Sequence, residues 1–306
     1  PLRRQRQMCI RDSFNPKTDE IGFLKDTISL PRDSIIKTEL SIFKEELPYI
    51  FRRGKEIRKG QLIFGYQGKP SNLKIENLSA VPDNFQTIIF PEKDKDTLNL
   101  WHSPIEKDSL IFKISNNNII DTITVALRKK QLDSLTVTKI TGGVLNIKDT
   151  LFFNTNNPII KIDTSKINFV HTDSIYITYK AFISKKESSV GFLFEKKFKT
   201  SYKLNLYPDA LVDIFETSND TVTSQFRTRS IEDYGEISLA IQNPEKVPVI
   251  IQLTDINDVT VAQETSSENK TISFNYLIPK KYKIRIIYDT NNLSLIHISE
   301  PTRQEA

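Results

Sequence analysis

The stretch Gly235-Glu-Ile-Ser-Leu-Ala-Ile241 places an aliphatic residue at every second position, with small or polar residues between them. Successive side chains of a β-strand point to opposite faces, so this alternation predicts a strand with one buried face. The same pattern recurs at Asp121–Leu127, Ser174–Lys180 and Tyr282–Ile287, and Gln61–Tyr66 also has the composition of a strand. Repeated alternation of this kind is typical of antiparallel sheets that pack face to face.

Clusters rich in Asn and Asp separate the strands and take the place of glycine, which occurs only nine times. Asn and Asp tolerate left-handed backbone and bond to nearby backbone groups, which suits them to turns. Strands at this spacing, with no helical pattern between them, predict an all-β fold of tandem antiparallel β-sandwich domains. The one helical turn that the pattern favours is Ser41–Leu47, which ends before Pro48. The turn clusters are Ser115–Asn118, Asn154–Pro158, Ser218–Asp220 and Asn257–Asp258.

Both ends of the chain resemble translations of the transposon adapters used to prepare sequencing libraries. The adapter strand CTGTCTCTTATACACATCT encodes Leu-Ser-Leu-Ile-His-Ile, as in residues 293–298, and its reverse complement encodes Met-Cys-Ile-Arg-Asp, as in residues 8–12. One inverted DNA element thus explains two protein segments, whereas a basic arm and a polar tail would have no reason to be complementary. We therefore expect residues 1–13 and 293–306 to be artefacts without a tertiary role.

Leaving out both ends changes what the composition indicates. Lys plus Arg fall from 43 to 38 and Asp plus Glu from 38 to 35, so the net charge falls from +5 to +3. The single Cys and the single Met both lie in the excluded ends. A nearly balanced chain, without basic residues interleaved with aromatic ones, argues against a nucleic-acid partner. No stretch approaches the roughly 18 apolar residues of a membrane-spanning helix.

A chain of 306 residues exceeds the comfortable size of one core, so several domains are expected. The charged segment Arg52–Gly60 is interpreted as a linker that precedes the strand at Gln61–Tyr66. The predicted organisation is a remnant of an upstream β domain at 14–50, a β-sandwich at 60–136, an Ig-like β-sandwich at 140–226 and a truncated prealbumin-like β-sandwich at 227–292.

Two regions resemble known families of bacterial β-sandwich. Residues 157–213, which include Tyr202-Lys-Leu-Asn-Leu-Tyr-Pro-Asp-Ala-Leu-Val-Asp213, are similar to Ig-like domains of the S-layer type. Val249–Asp255 and Phe274–Ile286 resemble the prealbumin-like, carboxypeptidase-regulatory type, with Lys280 where a glycine is usual. The whole arrangement is similar to Ig-like-domain lipoproteins of the Bacteroidota envelope. That resemblance implies an exported protein of the periplasm or outer-membrane surface, with a lipid anchor upstream of this chain and an unassigned protein or glycan partner.

The tripeptide Asp, then Ser or Thr, then an aliphatic residue occurs nine times, where composition alone would give roughly one or two matches. It resembles the acceptor signal for periplasmic O-glycosylation in Bacteroidota. Alternatively, the tripeptide is a by-product of β-structure. Asp is common in turns, Ser and Thr often begin strands, and aliphatic residues fill the core-facing positions that follow. Both interpretations stay open. The candidate acceptor hydroxyls are those of Thr27, Ser34, Thr97, Ser109, Thr122, Ser134, Thr150, Ser174 and Thr221.

Candidate catalytic and metal-binding residues are few, and they form no recognised set. His102 and His171, the only histidines outside the terminal segments, lack the partner at i+4 that a helical zinc motif needs. Trp101 is interpreted as a core residue rather than as a platform on which a sugar ring stacks. No nucleophile is paired with a base, and no phosphate-binding loop occurs. We therefore expect neither enzymatic activity nor a cofactor.

A calcium loop is one alternative for the segment Asp289-Thr-Asn-Asn292. Its oxygen-bearing side chains recur at alternate positions, which makes Asp289 and Asn291 candidate ligands. A plain Asn-rich turn is the favoured interpretation.

The function that best fits these features is a structural or adhesive role for stacked, non-catalytic Ig-like domains in the cell envelope. Two alternatives stay open. The first is a carbohydrate-binding accessory module of a glycan-uptake system, which exposed, coplanar aromatic rings on one sheet face would favour. The second is a non-catalytic arm of a larger enzyme.

Overall fold

The computed structural model describes residues 19–23, 40–92, 95–128, 131–139, 142–171, 175–243 and 246–289. These residues form β-structure almost throughout, and their only helical elements are the 3₁₀ turns Thr164–Lys166 and Ile231–Asp233. The predicted fold class, all-β with tandem antiparallel sandwiches, is confirmed. Two short strands, β1 (Glu20–Ile21) and β2 (Phe43–Lys44), pair with one another, and the other strands form three sandwiches.

The first sandwich has immunoglobulin strand order. One sheet has the order β3–β4–β7–β6 and the other β5–β8–β9, so lettering the strands A to G in chain order gives sheets ABED and CFG. The core side chains between them are Leu62, Phe64, Leu100, Leu110, Phe112, Ile114 and Val125. The strands are β3 (Ile50–Arg58), β4 (Gln61–Gln67), β5 (Leu73–Asn77), β6 (Thr87–Pro91), β7 (Thr97–His102), β8 (Ser109–Asn116) and β9 (Ile119–Ala126).

The second sandwich has the same strand order as the first. Its first strand is divided in two, and an additional pair of short strands forms between two of its loops. Its sheets, β10–β12–β16–β15 and β11–β19–β17–β14, correspond to ABED and A′GFC, while β13 pairs with β18 across the B–C and F–G connections. The strands are β10 (Val137–Lys139), β11 (Val144–Leu145), β12 (Leu151–Thr155), β13 (Ile159–Ile162), β14 (Ile167–His171), β15 (Tyr179–Ile183), β16 (Ser189–Phe194), β17 (Ser201–Leu206), β18 (Leu211–Asp213) and β19 (Val222–Thr228).

A tyrosine corner stabilises the second sandwich. Tyr202 lies near the start of β17, strand F, and its Oη accepts a hydrogen bond of 2.8 Å from the backbone N–H of Lys197. This corner is a hallmark of Ig-like domains. The core around it is rich in aromatic rings, and it includes Phe153, Phe169, Phe192, Leu204 and Phe226.

The third sandwich has two sheets of unequal width, β20–β23 and β22–β21–β24. Val249, Ile251 and Leu253 on the middle strand pack against Ile272 and Phe274 of the facing sheet. In Ig lettering the strands occupy positions B, C, C′, E and F. They are β20 (Gly235–Ile241), β21 (Val249–Thr254), β22 (Thr260–Ser266), β23 (Lys270–Leu277) and β24 (Lys283–Tyr288).

Three local predictions are wrong. Arg52–Gly60 is not a linker, because β3 pairs with β4 as an edge strand, on which Arg52, Arg53 and Lys55 are exposed. The first sandwich therefore begins at Ile50. Ser41–Leu47 contains strand β2 and no helix. The strand predicted at Ser174–Lys180 begins only at Tyr179. In the first two cases strand pairing overrides the local composition. The remaining domain bounds stay predictions.

Candidate functional site

The first and second sandwiches meet in a buried apolar cluster, here called the first junction. It contains Phe90 and Trp101 of the first sandwich with Ile214 and Phe215 of the second. The rings of Trp101 and Phe215 meet edge to face, with their centroids 6.1 Å apart, a geometry that favours aromatic pairs. Trp101 is buried, as its interpretation as a core residue required, but part of its packing comes from the next domain.

Arg58 spans the first junction. Its guanidinium lies over the Trp101 ring, 4.5 Å from the centroid. Nε donates to Oε1 of Gln61 at 2.6 Å, one Nη donates to the backbone carbonyl of Asn156 in the second sandwich, and the other lies 3.7 Å from Asp133 in the interdomain connection. One side chain thus joins both sandwiches and the segment between them.

The β3–β4 hairpin turn is shaped to fit this contact. Gly60 has a φ of +71°, and a Cβ at this position would collide with the ring of Phe215. The buried carboxylate of Glu56 accepts a hydrogen bond of 2.7 Å from the backbone N–H of Arg128, where the chain leaves the first sandwich. The hairpin and the start of the connection are therefore held together beside the second sandwich.

Asp213 organises the loop that carries Phe215. Its side chain is fully buried and accepts four hydrogen bonds, from Nδ2 of Asn157, the backbone N–H of Phe215, and both the N–H and the hydroxyl of Thr217. The distances run from 2.7 to 2.9 Å. Charge-assisted bonds of this kind fix a loop firmly. The network therefore presents Phe215 to the first sandwich in one conformation.

His102 is buried beside the first junction. It stacks on Phe85 at 5.9 Å, and its Nδ1 donates to the carbonyl oxygen of Ser103 at 2.9 Å. Burial lowers the pKa of the His102 imidazole, while its Nε2 has no partner among the described residues. His171 is the last residue of β14. The structure does not bring the two histidines into one site.

The second and third sandwiches meet through a more open aromatic cluster, here called the second junction. Tyr276 lies 5.5 Å from Phe198 and 6.0 Å from Tyr234, measured between ring centroids, and Nζ of Lys148 lies 5.7 Å from the Tyr276 ring. Tyr276 lies in a bulge of the β20–β23 ladder and has a φ of 58°, which is unusual for a bulky residue. The Tyr234 hydroxyl accepts from the backbone N–H of Ile147 at 2.9 Å.

Six of the nine candidate acceptor residues lie in the described part of the chain, and none of the six is buried. Thr97 and Ser109 begin strands, and Thr150 and Thr221 directly precede strands. The aliphatic residue that follows each acceptor is buried or half-buried. The other two are Ser134, in the connection between sandwiches, and Thr122, within β9. Thr27, Ser34 and Ser174 lie outside the described residues.

The calcium candidates gain no support from neighbouring ligands. Asp289 is buried at the end of β24, and Asn291 lies outside the described residues. Among the residues described, no three His, Cys, Asp or Glu side chains are grouped closely enough to hold a metal ion. Nor does any described segment form an apolar helix of membrane-spanning length.

The exposed aromatic rings that contact one another are not coplanar. Phe23 and Phe43 are both exposed and meet at 71°, and the exposed Tyr276 meets the half-buried rings of Phe198 and Tyr234 at 50° and 79°. A flat platform for sugar rings would need parallel faces. Among the described ring pairs, these exposed ones do not form the coplanar surface that the carbohydrate-binding alternative calls for.

Strand order and junctions define this chain as a row of Ig-like β-sandwiches. No protein-family model matches it, and no curated protein matches its sequence. Solved structures that it is similar to include domains 5–6 of the S-layer protein SbsC, at 7% identity and a TM-score of 0.25 over 60% of this chain and 99% of that chain. The tandem Ig repeats of Dlar follow at 10% identity and a TM-score of 0.21, over 60% of this chain and 98% of that one.

A third similar structure is SGBP-B of the Bacteroides ovatus mixed-linkage glucan utilization locus, solved in complex with a mixed-linkage heptasaccharide. It shares 10% identity over 82% of this chain and 79% of that chain, with a TM-score of 0.20. At such low scores, these similarities add nothing to the strand order described above.

Proposed function

We propose that this protein is a non-catalytic component of the cell envelope that holds Ig-like domains in a fixed row, in a structural or adhesive role. The observation that carries the proposal is the first junction, where Trp101 and Phe215 from different sandwiches are buried against one another. Flexibly linked domains have no need to bury large rings between them, because relative motion would expose those rings to water.

The polar contacts of the first junction support the same role. Arg58 bonds to groups in both sandwiches, and the Asp213 network fixes the loop that carries Phe215. The buried polar side chains at this site are engaged in holding backbone, which suits a spacer better than a reaction centre. A rigid row of domains can carry a terminal binding surface away from the membrane, or bear load along its length.

The envelope location is supported by the resemblance to Bacteroidota lipoproteins and by the acceptor tripeptides. A glycosyltransferase needs exposed hydroxyl groups, since a glycan cannot occupy a close-packed interior. Thr122, Ser134 and Thr221 are exposed, and Thr97, Ser109 and Thr150 are half-buried. We propose that several of the nine carry O-glycans in the exported protein.

Distance measurements between spin labels test the fixed row. Lys74→Cys and Lys185→Cys place exposed labels on the first and second sandwiches, and Cys9→Ser removes the single existing thiol. We expect a narrow distance distribution that broadens with Phe215→Ala. A pair within the second sandwich, Lys185→Cys with Lys203→Cys, should stay narrow in both backgrounds. A broad distribution between the sandwiches of the unaltered junction would refute the proposal.

Intact-mass analysis of the protein purified from its native envelope tests the glycans. Ser134→Ala should remove the mass of one glycan, whereas Thr136→Ala, which alters an exposed hydroxyl nearby without a preceding Asp, should not. An unmodified mass for the whole protein would show that the tripeptide is only a by-product of β-structure.

A further inference from the structure

The outer face of the β11–β19–β17–β14 sheet in the second sandwich carries polar side chains that do not belong to the first junction. Successive residues of a strand point to opposite faces, and directly opposite residues of paired strands share a face. Because Phe169 points into the core, Val170 points outward, with Lys203 opposite it and Gln225 opposite Lys203. Arg227, two residues after Gln225, projects from the same face. These outward side chains line a shallow depression.

A second depression continues the first one towards the connection to the third sandwich. The two adjoin at Ser201 and Arg227, which line both. Together they form a groove along the sheet face, here called the basic groove. It is lined by four basic residues and one acidic residue: Lys199, Lys203, Arg227, Arg229 and Asp233.

Positive charge is unbalanced at the centre of the basic groove. Lys203 and Arg227 are exposed, and neither forms an ion pair within the described part of the chain. Lys139 adds a third cation, because its Nζ donates to a backbone carbonyl of β19 at 2.7 Å. By contrast, Lys113 on a sheet face of the first sandwich lies 3.6 Å from Glu76 on the neighbouring strand. Like charges on neighbouring strands destabilise a sheet, so a bound anion would relieve repulsion here.

The carboxylates at the end of the groove are already engaged. Asp233 accepts a hydrogen bond of 3.1 Å from the backbone N–H of Ser230, and Glu232 accepts one from the hydroxyl of the same residue. Asp233 also lines the same depression as Lys199 and offsets its charge. The excess positive charge therefore lies around Lys203 and Arg227.

The groove also offers groups that suit a sugar. Tyr176 lies opposite Val170 at the edge of the same face, and it is 79% exposed. An exposed aromatic ring is a surface on which a sugar ring can stack, and a single ring serves one sugar without a coplanar neighbour. The exposed amide of Gln225, in the middle of the groove, supplies a donor and an acceptor for hydroxyl groups.

A ligand would lie on this face rather than extend the sheet. β11 pairs with β19 at one edge, where Lys139 also bonds to a carbonyl group. At the other edge, the backbone N–H groups of His171 and Ile177 make hydrogen bonds of 3.1 and 3.0 Å that join β14 to the segment containing Tyr176. Capture of a peptide by strand addition needs a free edge. Recognition by side chains, as for a glycan, fits the groove better.

We propose that the basic groove binds an anionic glycan, one with carboxylate or sulfate groups. Lys203 and Arg227 bind the acidic groups, and the arginine does so through two parallel N–H bonds. Gln225 bonds to a hydroxyl group, and Tyr176 stacks on a sugar ring. This site gives the adhesive role a ligand. It contains no residue of the first junction, so it does not depend on a fixed row of domains.

The test follows binding of labelled oligosaccharides to the full chain by fluorescence anisotropy. The two acidic probes are a hexasaccharide of galacturonic acid and a heparin hexasaccharide, and we expect saturable binding of at least one, weakened by salt. A neutral galactose hexasaccharide should bind at least about tenfold more weakly. Hexaglutamate, which separates a glycan from an acidic peptide, should also bind at least about tenfold more weakly. Absence of binding by both acidic glycans, or equal binding of hexaglutamate, would overturn the proposal.

Variants locate the binding site. Lys203→Gln and Arg227→Gln should each weaken binding about threefold to tenfold. Lys180→Gln removes the same charge from an exposed position on the opposite sheet, so it is the matched control and should bind as before. Tyr176→Ala should weaken binding by a similar factor, whereas Tyr207→Ala, at another exposed ring of this sandwich, should not. Circular dichroism verifies the fold of each variant.

The variants also separate a defined site from general attraction of anions. Equal weakening by Lys180→Gln, or unchanged binding in both Lys203→Gln and Arg227→Gln, would overturn the assignment to the basic groove. Neither result alters the spin-label distances across the first junction, so the two proposals can fail separately.

Discussion

The two junctions join similar domains by different chemistry. In the first, Trp101 and Phe215 are buried and an arginine bonds on both sides. In the second, Tyr276 is exposed, Phe198 and Tyr234 are half-buried, and the contacts are ring edges with a lysine beside them. Burial of apolar area is the larger stabilising term. The comparison indicates a stiff first junction and a second one that opens more easily.

Loss of the Phe215 ring should break the first junction. Phe215→Ala leaves a cavity beside Trp101, with a cost of about 3 kcal/mol in the free energy of unfolding. Urea denaturation measures that cost. Because Trp101 is the only tryptophan, its emission should also shift to the red as water reaches the ring. Tyr207→Ala, which truncates an exposed ring of the same sandwich, should change stability by less than about 0.5 kcal/mol. An unshifted emission in Phe215→Ala would contradict the buried contact.

Disruption of the Asp213 network should weaken the first junction from within the second sandwich. Asp213→Asn can keep one oxygen towards the backbone N–H groups of Phe215 and Thr217, but it places an NH2 donor against Nδ2 of Asn157, with a cost of about 2 kcal/mol. We expect a lower urea midpoint and a smaller red shift of Trp101 than in Phe215→Ala. Asp209→Asn, at an exposed carboxylate of the same loop region, is the control. Equal midpoints for the two variants would argue against the network.

Acid should weaken the first sandwich through His102. Burial lowers the pKa of the folded imidazole below its ordinary 6.5, so the unfolded chain binds more protons as the pH falls. The stability present above about pH 6.5 is therefore lost progressively below it. His102→Asn, which keeps a side-chain donor, should flatten the stability profile between about pH 5.5 and 7. A slope that survives in His102→Asn would assign it to another group.

The smallest effect is expected at the second junction. Tyr276→Gly removes aromatic contacts but also relieves the positive φ, and these terms are each about 1 kcal/mol and opposite in sign. Stability should change by less than about 0.5 kcal/mol, and Trp101 emission should stay the same. Spin labels on the second and third sandwiches should nevertheless show a broader distance distribution. A loss of stability as large as that of Phe215→Ala would show that the two junctions are equivalent.

Much of the fold could be predicted because strand periodicity is local. Gly235–Ile241 forms β20 with the bounds that its alternation predicts. The predicted strand Gln61–Tyr66 is one residue shorter than β4, and Tyr282–Ile287 is displaced from β24 by one residue at both ends. Arg52–Gly60 failed because an edge strand keeps only one neighbour and tolerates charge on most of its surface. Composition alone cannot separate such a strand from a linker.

The candidate site was less accessible to prediction. The acceptor tripeptides could be found from the sequence because each is a local pattern, and four of the six described acceptors begin or directly precede a strand. The role of Trp101 in joining two sandwiches could not be predicted, because its partner Phe215 lies more than a hundred residues away along the sequence. Gly60 and Asp213 carried one usable signal each, a glycine in a chain with few glycines and an Asp at the end of an apolar strand. Neither signal identifies the residues that Gly60 and Asp213 contact in the folded protein.

The sequence by itself determined the all-β class, the period of the strands and the near-balance of charge, because these depend on which residues neighbour one another along the chain. Tertiary structure alone decided the sheet order, the contact between Arg58, Trp101 and Phe215, and the basic groove of the second sandwich. Those features depend on which strand lies beside which, and on which domains contact one another. That information resides in long-range packing, where many weak contacts are summed across the whole domain.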